Sequence, residues 1–513
     1  MKTHALKTIV LPVCILASGL LSTGLAQADM DEHSSRQNED RHVASIMATH
    51  GVMAGDVKSH SAVIWARAQA ESWMHVMLQG EGGKSIHQRI KVTGQRDFTG
   101  KVKFTKLHAD TDYEYSVWFS NSKHAEQEVE KTQGRFHTAP NKNKARALSF
   151  AWGGDLAGQN VCRDTEQGFP IFNALNDMNL DFFIGLGDMI YADSTCTEQG
   201  KYGNTQIDGG YEKSANMTNY WAHWKYNHED ASYQKMLASM PYYAIWDDHE
   251  VANDFGPLND TRSSAPYTAG EHLLPMGLQA FLDYNPIDES ADQPKRLYRT
   301  VRWGKHFELF VLDTRQYRDA NVEADDATLK KTMLGREQLT WLKEKLKSSD
   351  ATWKMVVSSV PISIPTGSNA TVKGRDGWSG FEQQTGFEQE LKELFSFMRD
   401  EGINNSIWVT TDVHFAEVFR YTPFSSTPEF KVHEFVTGPL NAGLYPNRDF
   451  DTSWGTESLF FYGPESMFST KSYDDALKWM NYGAVEIDEN GVMSISVRDV
   501  NGKTLYEQTM YPE

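Results

Sequence analysis

Five apolar runs in this chain end at an aspartate, and further groups able to hold a cation or a phosphate stand beside them. Leu148-Ser149-Phe150-Ala151-Trp152 leads to Gly153-Gly154-Asp155. Phe182-Phe183-Ile184-Gly185-Leu186 leads to Gly187-Asp188, with Tyr191 three residues on. Tyr242 to Trp246 leads to Asp247-Asp248-His249-Glu250, Phe307 to Leu312 to Asp313-Thr314-Arg315, and Ile407 to Thr411 to Asp412-Val413-His414. Runs this largely apolar fit strands buried on both faces of a covered sheet. In open α/β sheets, ligands sit just outside the carboxyl ends of the strands. Carboxylates gathered there would repel one another unless a cation sat among them. The pattern therefore points to a metal site, with two metals.

The elements that must position these groups follow from the rest of the chain. Its 513 residues are ample for a large core and more than one domain. The net charge of -19, from 69 acidic and 50 basic residues, leaves no basic surplus to replace the counterions of a nucleic acid. Residues 1–28 read as a signal peptide: Lys2 and Lys7, an apolar stretch from Ile9 to Leu25, and Ala26-Gln27-Ala28 before the cut. A retained anchor is the alternative, and the Ser, Thr and Gly residues late in the stretch favour cleavage. Export of this type means a periplasmic or secreted protein, with no transmembrane helix after cleavage. Two cysteines then remain, Cys162 and Cys196; in an oxidising compartment they form either a disulfide or two free thiols.

Residues 29–46 are polar and charge-rich, a disordered or loosely attached lead-in. From 47 to 140, short alternating strands and Gly-rich turns predict a small all-β sandwich of immunoglobulin or fibronectin type. Pro140 to Lys144 reads as a linker. From 145 to 513, strands alternate with helical stretches, an α/β (α+β) domain that ends in a β-hairpin around Asp488-Glu489-Asn490-Gly491. Helical spacing stands out over Gln338–Leu346 and Glu388–Met398. The segments 191–218 and 259–270 read as long functional loops, in which Tyr202, Tyr211, Tyr220 and Trp221 either wall a pocket or pack on themselves.

Gly187-Asp188-x-x-Tyr191, Trp246-Asp247-Asp248-His249-Glu250-Val251-x-Asn253-Asp254, Leu312-Asp313-Thr314-Arg315-x-Tyr317-Arg318 and Asp412-Val413-His414 together resemble the alkaline phosphatase D (PhoD-like) family of metallophosphoesterases. The opening His50-Gly51-Val52-Met53-Ala54-Gly55-Asp56 and the late Phe435-Val436-Thr437-Gly438-Pro439-Leu440 are similar to that family as well. The resemblance implies a metallophosphoesterase sandwich of two mixed sheets flanked by helices. It also implies a binuclear centre bridged by Asp188. Asp155, Tyr191 and His414 would complete a site for Fe3+, since a phenolate is a hard anionic donor. Asp248 and Asp412 would complete a second, all-oxygen site that favours Ca2+, with Mg2+, Mn2+ or Zn2+ as alternatives. Many members carry Cys where Asp155 stands, which leaves the identity of the first metal open.

The implied reaction is hydrolysis of phosphomonoesters, phosphodiesters or both, by a hydroxide held on the metals. His249 would contact the phosphate and protonate the leaving oxygen. Arg315 would grip phosphate oxygens in a bidentate fork, or pair with Asp313. Asn253 would bind substrate or a water. Two other readings stand: a specialised phosphodiesterase or phospholipase D-type enzyme acting on envelope polymers or lipids, and a binding protein with a degenerate metal domain. Oligomeric state is not legible.

Overall fold

In the computed structural model, the structure describes residues 46–80, 83–124, 130–256, 270–289, 292–319, 325, 330–366, 377–380 and 386–513. The signal-peptide reading, nearly all of the lead-in and most of the 259–270 loop lie outside these residues.

The N-terminal region contributes strands β1 (Ala48–Gly55), β2 (Ser61–Ala68), β3 (Ser72–Gly80), β4 (Ser85–Val92), β5 (Thr99–Thr105), β6 (Asp112–Ser120) and β7 (Thr132–His137). There follow β8 (Leu148–Gly153), α1 (Ile171–Asp177), β9 (Phe182–Gly185), α2 (Met217–His228), α3 (Ala231–Ser239), β10 (Pro241–Ala244), α4 (Gly270–Tyr284), β11 (Arg299–Trp303), β12 (Phe307–Val311), α5 (Gly335–Ser348), β13 (Trp353–Val357) and α6 (Glu388–Asp400). The last elements are β14 (Ser406–Thr410), β15 (Ala416–Tyr421), β16 (Val432–Val436), β17 (Glu457–Tyr462), α7 (Tyr473–Leu477), β18 (Asn481–Ile487), β19 (Met493–Asp499) and β20 (Thr504–Met510).

The strands pair into three sheets, in the orders β20-β19-β18-β8-β9-β10-β1-β2-β5, β11-β12-β13-β14-β16-β15-β17 and β4-β3-β6-β7. The first two pack face to face. Phe150, Trp152, Phe182 and Ile184 from one share a core with Leu309, Val311, Met355, Val357, Ile407 and Val409 from the other. The alternate residues point outward into helix-covered cores: Ala151 and Phe183 into one with residues of α1 to α4, and Phe310, Val356 and Trp408 into one with Leu342, Leu346, Leu391 and Leu394 of α5 and α6. Both faces of each central strand are therefore covered, which is why the runs are largely apolar, with Ser149 and Glu308 as half-buried exceptions. Each large side chain so buried contributes about 1.5–3 kcal/mol. The result is the expected sandwich of two mixed sheets flanked by helices.

Within the sandwich, β8, β9 and β10 are mutually parallel, as are β12, β13, β14 and β16. Parallel pairing lines up carboxyl ends along one edge of each sheet. The C-terminal strands β18 and β19 form an antiparallel hairpin, and β18 pairs with β8.

The N-terminal strands enclose their own core, with Ile64, Met74, Val76, Tyr115 and Phe119 among its residues. Their inner sheet does not stop at the linker. β1 pairs in parallel with β10, Ala54 opposite Pro241 and Gly55 opposite Tyr242, so regions 47–140 and 145–513 share one hydrogen-bonded sheet. A Cβ on Gly55 would sit 2.3 Å from Pro286 Cγ, so this seam needs glycine. Among the described residues no helix is long and apolar enough to cross a membrane.

Candidate metal centre

Asp155, Asp188 and Asp247 lie just past β8, β9 and β10, and Asp412 lies just past β14, so the edge groups of both central sheets face one another. Close approach of these loops depends on glycine. A Cβ on Gly154 would lie 2.7 Å from the Gly187 carbonyl oxygen, and one on Gly187 would lie 2.7 Å from Asp247 Cβ. Asp155, Asp188, Asp412 and His414 have φ of 62°, 51°, 77° and 61°. Four non-glycine residues in the left-handed region at one spot are strained backbone of the kind that clusters at functional sites.

Three sets of side chains bring ligand atoms within 4.8 Å of one another: Asp155, Asp188 and His414; Asp188, Asp248 and His249; and Asp188, Asp247, Asp248 and Asp412. Asp188 is common to all three. Its Oδ1 accepts from the His249 backbone N–H at 3.1 Å, and its Oδ2 is buried without a hydrogen bond. Asp155 repeats the arrangement: Oδ2 accepts from Thr411 Oγ1 at 2.7 Å, and Oδ1 is buried with no hydrogen-bond partner. A buried, unsatisfied carboxylate oxygen is costly. Burial first, and then carboxylate neighbours such as Asp247, raise the Asp155 carboxyl to about 7; burial and then Asp248 and Asp247 carry Asp188 well above the usual carboxylate range. A cation between these oxygens would relieve both penalties, so the donor set fits a pair of metal ions.

His414 is fixed as a neutral donor. Its Nδ1 donates to the Gly443 carbonyl, which leaves the Nε2 lone pair facing Tyr191 OH at 2.9 Å and Asp155 Oδ1 at 4.0 Å. Burial pushes its pKa down to about 3. Tyr191 is buried, and burial followed by the Asp188 and Asp155 charges raises its phenol well above the ordinary value. Asp248 accepts from the Asp254 backbone N–H, and Asp412 is half-buried at the open side of the group.

Beneath the carboxylates sits Glu250. It is buried and takes three backbone N–H groups, those of Asp188 at 3.0 Å, Met189 at 2.8 Å and Asp247 at 2.8 Å. One side chain thus ties the β9 loop to the β10 loop. His249 stands over the centre, with Nδ1 2.5 Å from Asp193 Oδ1 and Nε2 4.0 Å from Asp188 Oδ2. Burial alone would lower its pKa, but the Asp193 and Asp248 charges bring it up to about 10. Asn253 is exposed, and its backbone N–H reaches Asp193 Oδ2 at 3.2 Å.

Two residues stand elsewhere than expected. Arg315 was expected to fork onto phosphate or pair with Asp313. Its guanidinium is instead fully buried, with Nε 2.6 Å from Asp247 Oδ1 and an Nη1 bond to the Phe255 carbonyl at 3.2 Å. A buried cation beside a buried carboxylate is held by it, and Ser359 Oγ adds a bond to the same oxygen at 2.7 Å. Asp313 does not join the other strand-end carboxylates. It folds back on its own turn, where Oδ1 accepts from Trp246 Nε1 at 2.9 Å and the Arg315 backbone N–H at 3.1 Å.

The loop aromatics divide. Tyr220 bonds the Val251 carbonyl at 2.9 Å, Trp221 bonds Asp283, and Tyr211 packs on His223, so these three pack within the protein. Tyr202 accepts from the Leu444 N–H at 3.0 Å, next to the Gly443 carbonyl that holds His414. Cys162 and Cys196 are bonded, with Cα atoms 5.9 Å apart.

Sequence reasoning missed Asp193, Asp247, Glu250, Thr411 and Gly443 as site residues. Asp193, two residues past Tyr191, and Glu250, inside the acidic block, lay within recognisable motifs. Nothing local marks the Gly443 carbonyl as the anchor of His414.

Comparison with known proteins agrees with this architecture. A family model described as PhoD-like phosphatase matches residues 150–498, and one described as the PhoD-like phosphatase N-terminal domain matches residues 33–140. Over 391 residues the chain is 26% identical to alkaline phosphatase D of Bacillus subtilis (strain 168). That match covers 71% of this chain and 64% of the relative, so the chain spans a little under two thirds of that protein's length. A solved structure of PhoD superposes with a TM-score of 0.70 at 20% identity, covering 91% of this chain and 90% of that one. The purple acid phosphatase PPD1 from yellow lupin (Lupinus luteus) seeds superposes at 0.57 and 11% identity, covering 89% and 73%. These two likenesses bear on the fold. With the family match running from β8 into β19, across every strand that carries a carboxylate of the centre, the chain belongs to the PhoD-like phosphatase family.

Proposed function

We propose that this protein is an exported hydrolase of phosphate esters, monoesters, diesters or both, that works with two metal ions. The observation that carries the reading is Asp188, shared by three cation-sized groups and keeping a buried oxygen free of hydrogen bonds. Asp155, Asp188, Tyr191 and His414 would hold one ion, and Asp188, Asp248 and Asp412 the other. A phenol that burial and neighbouring carboxylates keep neutral ionises only beside a strongly charged ion, which favours Fe3+ in the first place. The all-oxygen second set favours Ca2+, with Mg2+, Mn2+ or Zn2+ as alternatives. Metals bound there would supply Lewis-acid polarisation of the phosphoryl group and an acidified water.

The protein's own groups do the rest. His249, set by Asp193, points Nε2 over the centre and would deliver the proton to the leaving oxygen. Arg315 would act by holding Asp247 in place, and Asn253, exposed at the rim, would meet the substrate. Glu250 keeps the two loops in register. The Cys162–Cys196 bond supports a compartment where disulfides persist, in keeping with export.

The test is metal analysis of the purified protein together with turnover of a mono- and a bis-ester of the same phenol. Two bound ions and activity lost on chelation and in Asp188→Asn are expected. A metal-free protein inactive on both esters after reconstitution would favour the binding-protein reading. Full activity of Asp188→Asn would remove the shared-ligand role.

A further inference from the structure

Beside His414 stand two cations that no carboxylate among the described residues neutralises. Lys201 is exposed on the loop that begins at Cys196, and Arg448 follows the turn after Gly443. Both flank one ring: Lys201 Nζ lies 5.8 Å from the Tyr445 centroid and Arg448 Cζ lies 5.1 Å from it. The Tyr445 ring stands 5.1 Å from that of His414, at an interplanar angle of 71°. Among the described residues neither cation has an acidic partner within ion-pair distance, in a chain whose net charge is -19.

Their placement is built rather than incidental. A Cβ on Gly443 would lie 2.9 Å from Lys201 Nζ, so this glycine keeps the space the ammonium needs, and its carbonyl holds His414 Nδ1. The Lys201 backbone N–H bonds the Asn160 carbonyl at 2.8 Å, and Tyr202 OH accepts from Leu444 N at 3.0 Å. The disulfide between Cys162 and Cys196 closes the same loop. Aromatic faces hold both cations at the lip of an acidic centre, where ion pairs would have consumed them.

We propose that Lys201 and Arg448 form a subsite for a second anionic group of the substrate. This rests on the phosphoesterase reading above and narrows its substrate class. The preferred esters carry at least one further negative charge, a second phosphate above all, at a distance from the phosphate that reacts. The Lys201 and Arg448 heads donate charge-assisted hydrogen bonds to that group while the first phosphate occupies the centre.

The experiment compares binding of non-hydrolysable alkylphosphonates with that of α,ω-alkanediphosphonates of increasing chain length, by titration calorimetry on the metal-loaded protein. The wild-type protein should favour one length of diphosphonate over the matched monophosphonate by roughly tenfold or more, the worth of charged hydrogen bonds. The preference should fall towards one in Lys201→Ala/Arg448→Ala and return in Lys201→Arg/Arg448→Lys. A wild-type preference near one at every length, or an undiminished one in the double alanine variant, overturns the subsite. Turnover of the two phenol esters is read separately. A protein that hydrolyses neither ester yet keeps the diphosphonate preference refutes the enzyme reading and leaves the anion site standing.

Discussion

His249 and Asp193 form a bonded pair, Nδ1 to Oδ1 at 2.5 Å, that points the opposite ring nitrogen at Asp188 Oδ2 across 4.0 Å. A carboxylate on one side of an imidazole fixes which nitrogen faces the reaction. The same carboxylate also takes the Asn253 N–H, so it sets the turn that carries the histidine's neighbours.

If that pair delivers a proton, its loss is felt most by esters that need one. Asp193→Asn should cut kcat on an alkyl or phenyl phosphate by about 10- to 100-fold, the usual cost of losing a partner that orients a site residue. 4-Nitrophenyl phosphate, whose leaving group departs as an anion, should lose far less. Steady-state rates on the two esters decide it, and equal losses on both would show that Asp193 only supports the loop.

Glu250 makes a different prediction, because its three acceptor bonds go to backbone N–H groups of two loops. Glu250→Gln turns one acceptor oxygen into an NH2 that faces an N–H. An unsatisfied buried group of this sort costs about 1–3 kcal/mol. Metal affinity should weaken along with the melting temperature. Denaturation and metal titration of the variant test this, and a change in neither would mean that the loops hold without the clamp.

The disulfide closes a loop with a sequence separation of 34 residues. Chain-entropy arguments place its contribution at about 3–4 kcal/mol. Cys162→Ser/Cys196→Ser should unfold at lower denaturant. It should also loosen the loop bearing Lys201 and Tyr202, read as faster hydrogen exchange between residues 196 and 209. Equal midpoints for the variant and the unreduced wild type would contradict it.

His228 belongs to none of the acidic motifs and predicts acid sensitivity. Its ring packs among Trp65, Trp224, Tyr233 and Tyr284, and Nδ1 is buried with no hydrogen-bond partner. Burial, with His50 adding to it, pushes its pKa from 6.5 to about 3. A folded-state pKa below the unfolded value means stability that is full above about 6.5 and is lost as the pH falls towards 3, by up to about 1.4 kcal/mol per pH unit. His228→Phe keeps a ring in the cluster and should flatten that loss. Melting temperatures of both proteins between pH 7 and pH 4 check it, and parallel curves would mean the ring is not the source.

What the sequence determined by itself was local. A strand-length apolar run fits a strand covered on both sides, and Gly-Asp at its end fits a turn that leaves a carboxylate at the strand's edge. These rules put Asp155, Asp188, Asp247, Asp313 and Asp412 at strand ends, while the choice of Asp248, Tyr191 and His414 as ligands came from the resemblance to the PhoD-like family. The two amphipathic helices around Leu342 and Leu394 were legible for the same reason, since periodicity is a property of neighbours in the chain.

Tertiary structure decided everything that depends on which way a side chain turns once strands have paired. Asp313 ends a strand as Asp188 does, yet it satisfies its own turn and Trp246. Arg315 is drawn into the protein by Asp247, a residue 68 positions away. The seam between β1 and β10 joins segments almost two hundred residues apart, and no pattern within either segment announces it. Pairing, burial and the choice among competing hydrogen-bond partners are settled between distant parts of the chain. Strand and turn propensities carry no information about that.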